Sequence, residues 1–197
     1  IATDDTRIAE NAESFGAKVV MTSNDHVSGT DRIAEAAKTD QHCTHIINIQ
    51  GDEPLIDPEL IDQLAEKISN DPKICMITAA VPGINNLDLA NSNVVKTVIN
   101  KENNAIYFSR SVIPHQNSES PAAPCYRHIG IYGYTKDFLL KFVRWEPSPL
   151  ELAERLEQLR AIENGESIHV IITDDNSIGV DTPEQAIMVE HQILANT

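Results

Sequence analysis

The chain has 197 residues, 41% of them hydrophobic, with 30 acidic against 15 basic side chains and a formal net charge of −15. This length suits one compact domain. The acidic balance excludes a broad nucleic-acid-binding face, which would need clustered basic side chains, while leaving room for a single nucleotide held through a metal ion.

Read in order, the chain opens at Ile1-Ala2-Thr3, which looks like the end of a strand. Asp5 to Phe15 predicts a helix, with Ile8, Ala9, Ala12 and Phe15 on one face and Gly16 as its stop. Lys18–Thr22 predicts a strand, followed by the polar loop SNDHVSGT and a helix over about Thr30 to Lys38. His45–Gln50 is the next strand, Pro58–Asn70 the next helix and Lys73–Val81 another strand. In the middle, Val94–Asn100 and Ala105–Arg110 flank KENN as a hairpin, Pro114–Pro124 reads as an exposed loop, and His128–Tyr134 adds a strand. Leu150–Glu163 predicts one continuous helix, with Leu152, Leu156, Leu159 and Ile162 on its apolar face and Gly165 ending it. Ser167–Thr173 is a strand and Thr182–Ala195 a closing helix.

The alternation predicts an α/β fold: a mostly parallel nucleotide-binding sheet flanked by helices, in a single domain over 1–197, with a β-rich insertion over about 94–134. Cys43, Cys75 and Cys125 are odd in number and widely spaced with no CxxC pair, so three reduced thiols in a cytoplasmic protein are expected. No stretch reads as a signal peptide, and no apolar run has membrane-spanning length.

Two acidic positions carry the chemistry. In NIQGDEPLIDPEL, Asp57 suits the helix N-cap with Pro58 at the first helical position, so Asp52 and Glu53 are not needed as caps. In GVDTPEQ, Thr182 and Gln185 form a capping box, which leaves Asp181 spare. Two aspartates at strand-to-helix junctions suit a hard cation such as Mg²⁺, which takes one or two carboxylates and completes its shell with water and substrate phosphates. His42 and His45 have ligand-like spacing but no third ligand nearby, so zinc is not expected.

The segments SGTDRIAEA, NIQGDEP, YFSRSVIP, RHIGIYGY, SPLELAERLEQLR and GVDTPE follow one another in this order, and together they resemble the 3-deoxy-manno-octulosonate cytidylyltransferases, or CMP-Kdo synthetases. The resemblance covers essentially the whole chain. It implies transfer of CMP from CTP to the anomeric hydroxyl of the sugar acid Kdo, with release of pyrophosphate, in a cytoplasmic, Mg²⁺-dependent, homodimeric enzyme of lipopolysaccharide biosynthesis. It implies Asp52 and Asp181 as metal carboxylates and Ser28, Gly29, Thr30 and Arg32 as the loop that reads cytosine and ribose, with Gln50 touching substrate. Arg110, His128, Tyr132, Glu157 and Gln158 are implied as contacts to Kdo. The β-rich insertion is implied as the dimerisation or sugar lobe.

Each position also has a local account. Ser28 or Thr30 alone reads equally as an N-cap, Gln50 as a structural hydrogen-bonding group, His128 and Tyr132 as cross-strand packing, and Glu157-Gln158 as a solvated helix flank. The resemblance also implies a first strand and a basic, glycine-containing loop for the triphosphate. Nothing here corresponds to them, and the expectation is that an N-terminal segment precedes Ile1. The alternatives at this point are a cytidylyltransferase for another 2-keto sugar acid, a non-catalytic remnant, and a Mg²⁺-dependent phosphatase.

Overall fold

Most helices begin where a side chain accepts one of the unpaired first-turn amides. In the computed structural model, which describes residues 1–117, 123–175, 177, 179–180 and 182–195, Asp5 caps α1 (Thr6–Ser14), Ser28 caps α2 (Gly29–Thr39) and Asp57 caps α3 (Pro58–Asn70). Asn85 caps the short α4 (Asn86–Ala90) and Thr135 caps α5 (Lys136–Phe142), neither of which the sequence pattern indicated. α6 (Pro149–Glu154) opens with Ser148 N–H donating to the Glu151 carboxylate at 3.0 Å, and α7 (Leu159–Glu163) follows it. α8 (Pro183–Ala195) opens in the expected box: Thr182 N–H reaches Gln185 Oε1 at 2.9 Å, and Gln185 N–H reaches Thr182 Oγ1 at 3.3 Å. Asp57 likewise accepts from Glu59 N–H at 2.9 Å, so capping at both junctions is done by the residues the sequence assigned to it.

The strands are β1 (Ala2–Thr3), β2 (Val20–Met21), β3 (His45–Asn48), β4 (Met76–Pro82), β5 (Lys96–Ile99), β6 (Ala105–Ser109), β7 (Tyr126–Thr135) and β8 (His169–Ile172). β1 and β2 form a parallel pair of their own, and the others form one sheet in the order β6-β5-β7-β4-β8, with β3 also on β7. The α/β class with flanking helices is as expected, and β3, β4, β5 and β8 all run in one direction. Neighbouring pairs are nonetheless mostly antiparallel, because the long strand β7 runs against them. It pairs with β4 along one edge, and with β5 and β3 along the other. The strands expected in a β-rich lobe thus hydrogen-bond into the main sheet.

The sheet has a core on each face. Leu60, Leu64 and Ile68 of α3 pack on Ile77, Ala79, Ile129 and Ile131. On the other face, α2, α5 and α7 cover Phe108, Tyr134 and Met76. The expected continuous helix over 150–163 is corrected. The chain breaks at Arg155, which is left-handed with φ 54° and ψ 48°, and resumes at Leu159. The apolar periodicity survives the break because Leu156 and Leu159 still reach the same core. Of the expected loop at 114–124, residues 118–122 lie outside the described residues, as does Asp181.

At Gly133 three elements meet so closely that an added Cβ would lie 2.5 Å from Ile77 Cγ2 and 3.0 Å from Ile47 Cδ1. Gly133→Ala is expected to destabilise the protein by about 1–3 kcal/mol through overpacking. The measurement is a shift of the urea midpoint at unchanged slope.

Candidate active site

Strand ends and one broken helix converge on a cavity of about 700 Å³. Gln50 and Asp52 enter it from the end of β3, Arg110 from the end of β6, His128 and Tyr132 from β7, and Glu157 and Gln158 from the turn between α6 and α7. The size falls in the usual range for small-molecule sites.

The acidic side comes from the loop after β3. The Asp52 carboxylate is exposed and takes no hydrogen bond or ion pair from the described residues, as its freedom from capping duty implied. Its backbone carbonyl accepts from Val180 N–H at 2.7 Å, which ties this loop to the segment running into Asp181. Glu53 is inserted between two glycines, and a Cβ on Gly130 or Gly179 would lie 3.4 or 3.3 Å from its Oε1.

The basic side is built on Lys96, which is fully buried. Its ammonium donates to the carbonyls of Asn91 at 2.9 Å, Val94 at 2.7 Å and Arg110 at 2.5 Å, so all three protons are used on backbone. This fixes the loop after α4 against the end of β6. The Arg110 guanidinium donates to Glu154 O at 2.9 Å, Ser92 O at 3.1 Å and Arg155 O at 3.5 Å. A guanidinium has five N–H groups, so two remain for a ligand. Arg127, which sequence reasoning missed, also lines the cavity and donates to Asp175 O at 3.1 Å. Its signal was weak, because strand alternation puts it on the face opposite His128.

The expected nucleotide loop lies behind this wall rather than on it. Ser28 caps α2, its Oγ accepting from Asp31 N–H at 3.1 Å. Thr30 donates its hydroxyl to Glu157, and Gly29 approaches Gln50 so closely that a Cβ would lie 3.1 Å from Gln50 Oε1. Arg32 turns away toward β1 and β2, donating to Thr22 Oγ1 at 2.6 Å and pairing with Asp4 at 3.2 Å. Three of these four residues therefore support cavity side chains directly, Ser28 and Thr30 through hydrogen bonds to Glu157 and Gly29 through its approach to Gln50. Asp88, Asn91 and Asn93 also line the cavity and were not foreseen, because α4 and the loops around it carry no strong periodicity; Ser177 and Gln185 line it too, Gln185 having been read only as a cap.

The comparisons with known proteins agree with this architecture. The cytidylyltransferase family model matches residues 1–168. A 3-deoxy-manno-octulosonate cytidylyltransferase from Syntrophotalea carbinolica is 49% identical over 96% of this chain and 79% of its own length. The chain belongs to this family. The enzyme of the same name from Solibacter usitatus is 48% identical over 100% of this chain and 77% of its own. A solved CMP:2-keto-3-deoxy-manno-octonic acid synthetase complexed with CTP superposes with a TM-score of 0.93 at 37% identity, over 100% of this chain and 80% of that one.

Burial sets the protonation states in the family's cavity. Loss of water pushes the Glu157 carboxyl above the usual carboxylate range, an effect offset in part by the Thr30 and Ser28 hydroxyls and by Arg160. Desolvation, with Arg127 adding to it, holds the His128 imidazole down at about 3, so it is neutral at neutral pH. The unfolded chain takes up a proton on this histidine below its ordinary value of 6.5, and the folded protein does not until about 3. Stability from this group is therefore present above the unfolded value and lost as pH falls. Between pH 7 and pH 5 the loss is about 2 kcal/mol. His128→Gln should flatten the difference between urea unfolding curves at these two pH values by that amount.

Proposed function

We propose that this cavity transfers CMP from CTP to the anomeric hydroxyl of 3-deoxy-D-manno-octulosonate (Kdo), with pyrophosphate leaving, to make CMP-Kdo for lipopolysaccharide biosynthesis in the cytoplasm. The observation that carries the reading is that one cavity is lined by two guanidinium groups, Arg110 and Arg127, together with the carboxylates of Asp52, Glu53 and Glu157. A sugar acid brings a carboxylate that needs a cation and hydroxyls that need neutral polar partners. A nucleoside triphosphate brings negative charge that cannot lie beside free carboxylates without a metal ion.

Arg110 has two N–H groups left for the sugar carboxylate, and its other contacts keep the guanidinium in one orientation. Tyr132, Glu157 and Gln158 line the cavity and are assigned to the sugar hydroxyls, with Glu157 held in turn by Thr30. We assign Ser28, Gly29, Thr30, Arg32 and Gln50 to the CTP side, with Gly29 setting the position of Gln50 and Ser28 the start of α2. The Asp52 carboxylate is exposed at the cavity and takes no hydrogen bond or ion pair from the described residues, which fits Mg²⁺ held by Asp52 together with Asp181. When bound, Mg²⁺ supplies charge neutralisation on the triphosphate and acidifies a coordinated hydroxyl. The chain's own part is to align the hydroxyl with the α-phosphorus and to exclude water. A homodimer belongs to the same reading, supported by the exposed Ile106 on the edge strand β6 and the exposed Val112 just after it.

The test is pyrophosphate release by the full-length protein with CTP, Kdo and Mg²⁺. Asp52→Asn should lower turnover about 10²-fold or more with an unchanged unfolding midpoint. Turnover with a sialic acid but not with Kdo would overturn the substrate, and an Asp52→Asn variant of normal rate would overturn the metal assignment.

A further inference from the structure

β4 and β7 pair with an irregularity between Thr78 and Ala79, and in it lies a fully buried hydroxyl. Thr78 Oγ1 has three neighbours: Ile131 O at 2.7 Å, Ile129 O at 3.3 Å and His128 Nε2 at 2.9 Å. A hydroxyl has one proton to give and two lone pairs. Both carbonyls can only accept, so the proton goes to the nearer one, Ile131 O. The oxygen must then accept from the histidine, which places the ring proton on Nε2.

A neutral imidazole protonated on Nε2 has an Nδ1 that only accepts. Phe108 meets the ring edge-on, with centroids 4.9 Å apart and planes at 76°, and Tyr132 lies 5.5 Å away on the other side of the strand repeat. These neighbours hold the ring plane. His128 lines the cavity, and Nδ1 has no hydrogen-bond partner among the described residues.

We propose that Thr78 is a positioning residue that fixes His128 as the Nε2–H tautomer, so that Nδ1 offers the cavity an acceptor that reads a hydroxyl of the sugar acid and turns away its carboxylate. The inference rests on the reading of the cavity as a sugar-acid site. It adds a division of labour: Arg110 takes the anion, and His128 takes a neutral donor. Thr78 never touches substrate and acts only through the ring.

The test has two readouts. Nitrogen-15 NMR of the imidazole in the free full-length protein reports the tautomer, and steady-state kinetics report KM for each substrate. Wild type and Thr78→Ser should both show Nε2–H. Thr78→Val should show a mixture of tautomers, with KM for the sugar acid raised about tenfold and KM for CTP unchanged. Thr78→Ser should restore KM to within about threefold of wild type. An Nδ1–H wild-type spectrum overturns the inference even if Thr78→Val fails to fold, and so does a Thr78→Val enzyme with unchanged sugar-acid KM. Normal Kdo turnover with an Nδ1–H ring sinks this inference alone. An Nε2–H ring in a protein that neither binds nor turns over Kdo sinks the functional reading instead.

Discussion

A single residue in the left-handed conformation decides where the walls of the cavity stand. A continuous helix through Arg155 would satisfy the apolar spacing of Leu152, Leu156 and Leu159, but it would carry Glu157 and Gln158 around a regular helix and close the carbonyls of Glu154 and Arg155 within it. The turn at Arg155 costs on the order of 1–2 kcal/mol for a residue with a Cβ. Arg110 takes up both freed carbonyls, and the Glu154 carboxylate accepts from Ser109 Oγ at 2.6 Å and from Arg110 N–H at 2.9 Å. After the turn, Arg160 pairs with Glu151 while its guanidinium lies 5.0 Å over the Phe142 ring, which anchors the resumed helix in the core. The break, the guanidinium of Arg110 and the placement of Glu157 are one linked arrangement.

β7 performs the complementary task. Because it pairs with β3, β4 and β5, it fixes the ends of all three relative to one another. Gly133 permits the close approach of β3 and β4, while Tyr132 beside it and His128 further back along the strand line the cavity. A protein with a formal net charge of −15 thereby brings two arginines, one of them braced by the buried Lys96, into a small cavity that carboxylates also line. In a partly desolvated site such guanidinium groups orient an anionic ligand far more strongly than they would in water.

Much of this was legible in the sequence because it is local. Capping by Asp57 and by Thr182 with Gln185 follows from residues three or fewer apart, and so did the conclusion that Asp52 is free for other work. The periodicity of α3 gave its bounds directly. What escaped was set by long-range partners. The break at Arg155 depends on Arg110, which is 45 residues away along the chain. The antiparallel neighbours of β3 and β4 depend on where β7 inserts, which no spacing rule encodes. The roles of Thr30 and Gly29 behind the wall depend on Glu157 and Gln50. Lys96 reads in the sequence as an ordinary strand lysine, and only its three carbonyl partners reveal it as the support of the basic side.

The central claim is that one cavity, polarised between Arg110 and Asp52, orients the sugar acid by its carboxylate. A crystal structure of the full-length protein soaked with Kdo tests it most directly. The account predicts electron density inside the cavity, with the carboxylate on the Arg110 guanidinium and hydroxyls toward Gln158 and His128. A sugar acid bound with its carboxylate away from Arg110, or outside this cavity altogether, would contradict it.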